Sequence, residues 1–327
     1  MLGCVDMETD INHEVNLNRY FEINGVQQFV SIKGVKKSNP ILLILHGGPG
    51  DTSLPMVRKY NKPLEKVFNV ACWEQRGAGK SYYRFDAAKP PKISDFVQDA
   101  KVLCEILLKY FGQTKLFISA HSWGSVLGIH LLMECPHIIQ AYVGCGQVVH
   151  MKKITMASYK FALDKSRENN DANVTRRLVD IDWTYTQKNW YKDLLFVTRQ
   201  VVKYGGSLYG QSNYSKFVKD FMTSKDYTMT DILRRQKGSA QSIKYLWPEL
   251  MNTNFEDKTS FDVPVIFIEG MHDYHASYKV VEEYYQTITS DKRLYLFEKS
   301  AHFPQWSEYD KYNQILSEMA NAIKEKA

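Results

Sequence analysis

The sequence predicts an α/β fold: a mostly parallel central sheet flanked by helices, with a helical cap inserted into it. Three observations carry that prediction. Unbroken apolar runs at 41–45 and 67–73 each end abruptly in a loop of glycines and polar residues, as strands covered on both faces of a parallel sheet do. In the stretch 115–128, KLFISAHSWGSVLG, an apolar run breaks off at Ser119-Ala120, Ser122 follows between His121 and Trp123, and Gly124 opens a helical segment. From about 148 to 258 the texture changes to aromatic-rich amphipathic helix, with no buried strand.

Each element follows in order. Residues 17–34 alternate polar and apolar, with Tyr20, Phe21, Phe29, Val30 and Ile32, and are interrupted by Asn24-Gly25. This predicts a β-hairpin at an antiparallel edge of the sheet. The run at 41–45 leads into His46-Gly47-Gly48-Pro49-Gly50, and the run at 67–73 into Glu74-Gln75-Arg76-Gly77-Ala78-Gly79-Lys80-Ser81. Helical spacing of Phe96, Val97, Ala100, Val102-Leu103, Ile106-Leu107 and Phe111 predicts a helix over 93–111, capped by Gly112. After the serine turn and its helix comes a strand at 139–146. The sheet resumes at 263–270, leads into Met271-His272-Asp273-Tyr274, and continues with a helix at 278–287 and a strand at 293–297. Glu298 to Phe303 form a loop before one closing amphipathic helix at about 305–325. The core is therefore 1–147 with 259–327, and the cap 148–258.

Composition narrows the function classes. The 327 residues are 44% hydrophobic and 24% charged, an ordinary globular balance. A net charge of +6 and a pI near 8.8, with Lys and Arg scattered, fall short of a nucleic-acid partner. No window approaches the length of a membrane span, and Met1 to Glu14 lack the basic start and apolar core of a secretory signal. The five cysteines (Cys4, Cys72, Cys104, Cys135, Cys145) show no CxxC spacing, and Cys72 and Cys145 sit in apolar runs. Buried thiols, a reducing compartment and a cytoplasmic protein are the expectation. Tyr204-Gly205-Gly206-Ser207-Leu208-Tyr209-Gly210 lack the spacing and preceding strand of a phosphate loop, which leaves a flexible lid connection.

A serine hydroxyl barely ionises near neutral pH; it needs a histidine to take its proton and a carboxylate to hold that imidazole. Ser122 sits where strand gives way to helix, although a buried serine at a helix N-cap would leave the same trace. Asp273 lies in the loop after 264–269, and His302 in the loop after the next strand. All three thus fall at strand C-termini, the edge where open α/β sheets bind ligands. Glu269, at the strand end, is a second candidate for the acid. His272 and His275 flank Asp273 too closely in sequence to be its partner, and His46, His121 and His130 read as packing or hydrogen-bonding neighbours. A metal site from His272, Asp273 and His275 has no second ligand cluster to support it. For a tetrahedral oxyanion, the backbone N–H of Trp123 is one donor, and Gly48 or Gly47 supplies the other.

The strand–turn–helix around Ser122 is similar to the nucleophile elbow of the α/β-hydrolases, with Ala120 in place of a glycine. Taken with His46-Gly47-Gly48-Pro49-Gly50, the 73–81 loop and Ser122-Trp123-Gly124-Ser125, the chain resembles the proline iminopeptidase-like branch of that superfamily over about 25–147 and 263–310. Ala120 and Glu74, where that branch usually has Gly and Asp, are the two departures, and neither removes a catalytic group. The resemblance implies a triad of Ser122, Asp273 and His302 and hydrolysis of an amide or ester without a cofactor or metal.

The expected substrate is a short peptide or a small ester. Binding a free N-terminus calls for carboxylates in the cap, yet residues 148–258 carry 19 Lys and Arg against 12 Asp and Glu. Asp180, Asp182, Glu249 and Glu256 are the acidic candidates there. Ser122 at the elbow excludes the carboxylate-based epoxide hydrolases and dehalogenases. A non-catalytic ligand-binding hydrolase fold is the alternative from another class, and a monomer or small homo-oligomer is expected.

Overall fold

A computed structural model describes residues 13–324. The N-terminal reading at 1–12 and Cys4 lie outside the described residues. The chain opens with β1 (Val15–Ile23) and β2 (Val26–Gly34), an antiparallel hairpin. Its turn is Asn24-Gly25 with φ of 47° and 76°, the left-handed pair that matches the twist of the flanking strands. Then come β3 (Ile41–Leu45), α1 (Leu54–Tyr60), β4 (Asn69–Trp73) and α2 (Ile93–Phe111). Gly112, at φ 64°, ends α2 in the left-handed region as predicted. The elbow comprises β5 (Leu116–His121) and α3 (Trp123–Glu134), followed by β6 (Ile139–Cys145).

Between β6 and the next strand the named elements are five helices: α4 (Met151–Glu168), α5 (Ala172–Val179), α6 (Trp190–Lys203), α7 (Ser215–Met222) and α8 (Met229–Leu250). Thr228 and Asp231 form a reciprocal capping box that starts α8. The sheet closes with β7 (Val265–Gly270), α9 (Tyr278–Thr287) and β8 (Lys292–Phe297). Instead of one closing helix there are two, α10 (Pro304–Ser307) and α11 (Tyr309–Lys324). Glu308, at φ −121° and ψ 52°, breaks the run because its carboxylate is engaged elsewhere, in the loop before it.

The eight strands form one sheet in the order β1-β2-β4-β3-β5-β6-β7-β8; β2 is antiparallel to both neighbours and the rest is parallel. Both faces are covered. Ile41, Leu43 and Leu45 of β3 pack with Val97, Leu103 and Val126 of α2 and α3, while Leu42 and Ile44 pack with Val57 of α1 and Leu316 of α11. That two-sided burial is why the strand reads as a solid apolar run rather than an alternation. Cys72, Cys104, Cys135 and Cys145 are buried free thiols. Among the described residues, no helix is long and apolar enough to cross a membrane.

Candidate active site

Ser122 stands at the end of β5 and the start of α3 with φ 52° and ψ −121°, a conformation that non-glycine residues seldom adopt and that clusters at functional sites. The turn is tied down on both sides. The Ser122 N–H donates to the Cys145 carbonyl at 3.0 Å, and its own carbonyl accepts from Ser125 N–H at 2.8 Å and Ser125 Oγ at 2.6 Å. Gly124 lets helix meet strand: a Cβ there would fall 2.2 Å from the Leu45 carbonyl oxygen. Ala120, fully buried one position inside β5, fits without a glycine.

Asp273 and His302 come together. The His302 Nδ1 lies 2.8 Å from Asp273 Oδ2, while Asp273 Oδ1 accepts the N–H groups of His275 and Ala276, each at 2.8 Å. Nothing on the serine side of His302 is as tight. Among the described residues, no hydrogen bond joins the hydroxyl of Ser122 to the imidazole of His302. Gly146 opens the space beside the ring, since a Cβ there would lie 3.0 Å from His302 Cε1 and Nδ1. Glu269 is not the partner: it is buried below, with Oε1 accepting from Gln147 N–H at 3.0 Å.

Several residues that position His302 escape a reading of the sequence. His302 is flanked by the ring of His121, 4.8 Å between centroids, and by that of His275, stacked at 4.5 Å and 27°. His121 Nε2 lies 2.8 Å from the His302 carbonyl. Glu308 accepts from Ser300 Oγ at 2.6 Å and Lys299 N–H at 3.0 Å, and so holds the loop that carries His302. The 204–210 segment, expected to be a loose connection, is a strap across the site: the Ser207 carbonyl accepts His302 N–H at 3.1 Å, and the Gly206 carbonyl accepts Tyr274 N–H at 2.9 Å. Its hydroxyl, Ser207 Oγ, pairs with His275 Nδ1 at 3.2 Å. Of these, His121 was legible in the sequence as a packing and hydrogen-bonding neighbour, whereas the nearness of His275 to Asp273 led away from it.

Burial keeps the site's imidazoles neutral. It pushes His302, His121 and His275 each down to about 3 and His46 to about 4. The carboxyl of Asp273 is pushed up to about 7, against the pull of the Ala276 and His275 amides. The described residues hold no cluster of His, Cys, Asp and Glu able to bind a metal.

Glu74 and Arg76, whose roles are not legible in the sequence, brace the loop after β4. Arg76 makes a two-pronged pair with buried Asp99, 2.6 Å on each arm, and Asp99 also takes Gln28 Nε2 at 2.6 Å and Asn24 Nδ2 at 2.8 Å. Glu74 is buried, accepts Lys80 N–H and the hydroxyl of Tyr227, and so links this loop to the segment leading into α8. Lys80 Nζ adds a bond to Asp231 at 3.0 Å.

Ser122, Trp123 and Gly48 line one cavity of about 170 Å³ under the helical insertion. Gly47 sits behind that wall; a Cβ on it would lie 3.3 Å from Ser122 Cβ and 2.8 Å from His121 Nδ1. The amides of Gly48 and Trp123 have no protein acceptor among the described residues. None of the four acidic candidates of the insertion reaches the cavity. Asp180 is exposed, Asp182 accepts from Thr184 and Thr186, Glu249 accepts from Ile93 N–H, and Glu256 pairs with Lys153.

A parallel sheet with a strained serine at its elbow and an Asp–His pair on the same edge defines an α/β hydrolase. The model of the alpha/beta hydrolase fold family matches residues 40–309, and the chain belongs to that family. Within it, the chain falls in the proline iminopeptidase-like branch. It is 30% identical over 308 residues to a probable aminopeptidase, YbaC, of Bacillus subtilis, covering 94% of this chain and 96% of that one. To the proline iminopeptidase of Saccharolobus solfataricus it is 24% identical over 331 residues, 96% and 94% of the two chains. The crystal structure of a proline iminopeptidase-related protein from Thermus thermophilus superposes with a TM-score of 0.63 at 17% identity, covering 94% of this chain and 98% of that one.

Proposed function

We propose that this hydrolase is a serine hydrolase that cleaves an amide or ester through Ser122, His302 and Asp273. The observation that carries the reading is the 2.8 Å bond from His302 to Asp273 on the sheet edge where Ser122 is held at φ 52°. The neutral imidazole is in the form that accepts a proton. As Ser122 Oγ bonds to the substrate carbonyl carbon, its proton passes to His302 Nε2, and Asp273 stabilises the imidazolium. The oxyanion is met by the amides of Trp123 and Gly48, reinforced by the N-terminal end of α3. The imidazolium then protonates the leaving nitrogen or oxygen as its bond to carbon breaks. Water repeats the sequence on the acyl-enzyme, releasing the acid and restoring Ser122. A serine–histidine bond that is long at rest and tightens around substrate is common in such sites. The helical insertion, 148–258, serves as the cap that supplies the rest of the pocket.

The test is labelling by a fluorophosphonate probe together with hydrolysis of short aryl esters and a prolyl arylamide. Wild-type protein is expected to label on Ser122 and to turn over at least one substrate, and Ser122→Ala and His302→Ala to do neither. Unlabelled wild-type protein would return the chain to the non-catalytic, ligand-binding reading.

A further inference from the structure

The wall of the cavity beside Ser122 contains no carboxylate. Its lining is Met151, Ile154, Leu194, Val197, Ile243 and Leu250 with neighbouring aliphatic groups, and its polar side-chain atoms belong to hydroxyls, His275 and the indoles of Trp123 and Trp247. Among them the buried Trp247 indole N–H lacks a protein partner among the described residues, and the Tyr185 hydroxyl, which also faces no hydrogen-bond partner there, belongs to a ring of the same wall. Tyr185 is unusual in its backbone as well. It is a buried aromatic at φ 52°, a position costly for a bulky side chain and typical of ligand clamps. Asp182 fixes that turn, its carbonyl accepting Tyr185 N–H at 3.0 Å while its carboxylate accepts Thr184 N–H at 2.9 Å and Thr186 Oγ1 at 2.9 Å. The ring that results stands edge-on to Trp247, 5.9 Å between centroids at 74°.

A free N-terminal substrate would place an ammonium next to the scissile carbonyl, inside this wall. Desolvating a charge is repaid only by a well-placed counter-charge, and none lines the cavity. Asp51, near the loop that carries Gly48, is already paired with Arg235, whose Nη2 lies 3.0 Å from Asp51 Oδ2. Asp193 and Asp182 act on Tyr185 from outside the cavity wall. What the wall offers instead, away from the Gly48 and Trp123 amides, is apolar surface and neutral donors, the Trp247 indole and the Tyr185 hydroxyl among them. A cavity of roughly 150 Å³ accommodates a benzene-sized group, and this one has about 170 Å³.

We propose that the substrate presents an uncharged, ring-sized acyl group, as an ester or as an amide without a free ammonium, and that Tyr185 hydrogen-bonds an oxygen acceptor on that group. The proposal rests on the serine-hydrolase reading above. The chain thus departs in substrate from the aminopeptidases named among its relatives, while keeping their scaffold.

The experiment compares two acyl groups of the same size, cyclopentanecarbonyl and L-prolyl, on one aryl leaving group with the full-length protein. The cyclopentanecarbonyl substrate is expected to have a kcat/KM at least ~100-fold higher at pH 7. A binding readout runs beside it: cyclopentanecarboxamide should protect Ser122 from the fluorophosphonate, and L-prolinamide should not. Tyr185→Phe should lower kcat/KM about tenfold more for a tetrahydrofuran-2-carbonyl ester, which carries a ring oxygen, than for the cyclopentanecarbonyl ester, which does not. Equal or better turnover of the prolyl substrate, its loss in Asp193→Asn or Asp51→Asn, or protection by prolinamide would overturn the proposal. So would a Ser122 that labels while cyclopentanecarboxamide gives no protection. A Ser122 that does not label at all would instead bring down the serine-hydrolase reading itself.

Discussion

The imidazole of His275 stacks on that of His302 at 4.5 Å and 27°, while its backbone N–H donates to Asp273 Oδ1 and its Nδ1 meets Ser207 Oγ. One residue therefore touches both members of the Asp–His pair and the strap laid over them. The backbone N–H survives substitution by alanine, so that variant removes only the ring, with its stack on His302 and its bond to Ser207. His275→Ala should lower kcat by ~10- to 100-fold, because small displacements of a catalytic group are costly. The labelling rate of Ser122 should fall in parallel while the thermal midpoint moves little. An unchanged labelling rate would show that the stack does not position His302.

Glu308 acts on the same histidine through the loop that carries it, by way of Ser300 Oγ at 2.6 Å and Lys299 N–H at 3.0 Å. Glu308→Ala should cost about 1–3 kcal/mol of stability, as loss of a charged hydrogen-bond acceptor does. It should also reduce kcat more than it raises KM, because the loop it holds carries the base rather than the cavity wall. Ser300→Ala should overlap with it, giving a double variant less impaired than the sum. Full additivity in chemical denaturation would mean that the two side chains do not act as one clasp.

Burial pushes Glu74 from 4.5 up to about 7, despite the Tyr227 hydroxyl and the Lys80 N–H that favour its charged form. A carboxyl raised above its unfolded value contributes stability that is complete below pH 4.5 and is lost as the pH climbs through 7. Glu74→Gln keeps the shape, with its amide oxygen on Lys80 N–H and its amide nitrogen towards Tyr227, and has nothing to titrate. The thermal midpoint of the variant, relative to wild type, should therefore rise steadily between those two pH values and level off above them. A flat or falling difference would refute a buried neutral carboxyl at this position.

Two glycines separate steric need from backbone freedom. At Gly124 a Cβ would fall 2.2 Å from the Leu45 carbonyl oxygen and 2.7 Å from that of His46, so Gly124→Ala must part α3 from β3. The expected loss is ~3 kcal/mol or more, at the top of the overpacking range. At Gly112 nothing lies within 4 Å, but φ is +64°, so Gly112→Ala should cost only about 1–2 kcal/mol. Reversal of that order in urea unfolding would mean that the elbow has room to spare.

The sequence by itself determined what short-range chemistry controls. The Asn24-Gly25 hairpin, the apolar runs of the parallel strands, the Gly112 cap and the serine turn each depend on residues within a few positions of one another. The order Ser122, Asp273, His302 at the ends of β5, β7 and β8 was legible for the same reason, since each lies just past a recognisable strand. Only the tertiary structure decided the rest, because it rests on contacts between residues far apart in the chain. Glu308 breaks a helix that its own periodicity would continue, since Ser300 and Lys299 claim its carboxylate. The glycine-rich strap is fastened by His302 and Tyr274, about which its own sequence says nothing. Charge counts correctly found the insertion basic, but a count has no direction. That none of its carboxylates lines the cavity beside Ser122 is set by how its helices pack, and that packing sets the chemistry of the cavity.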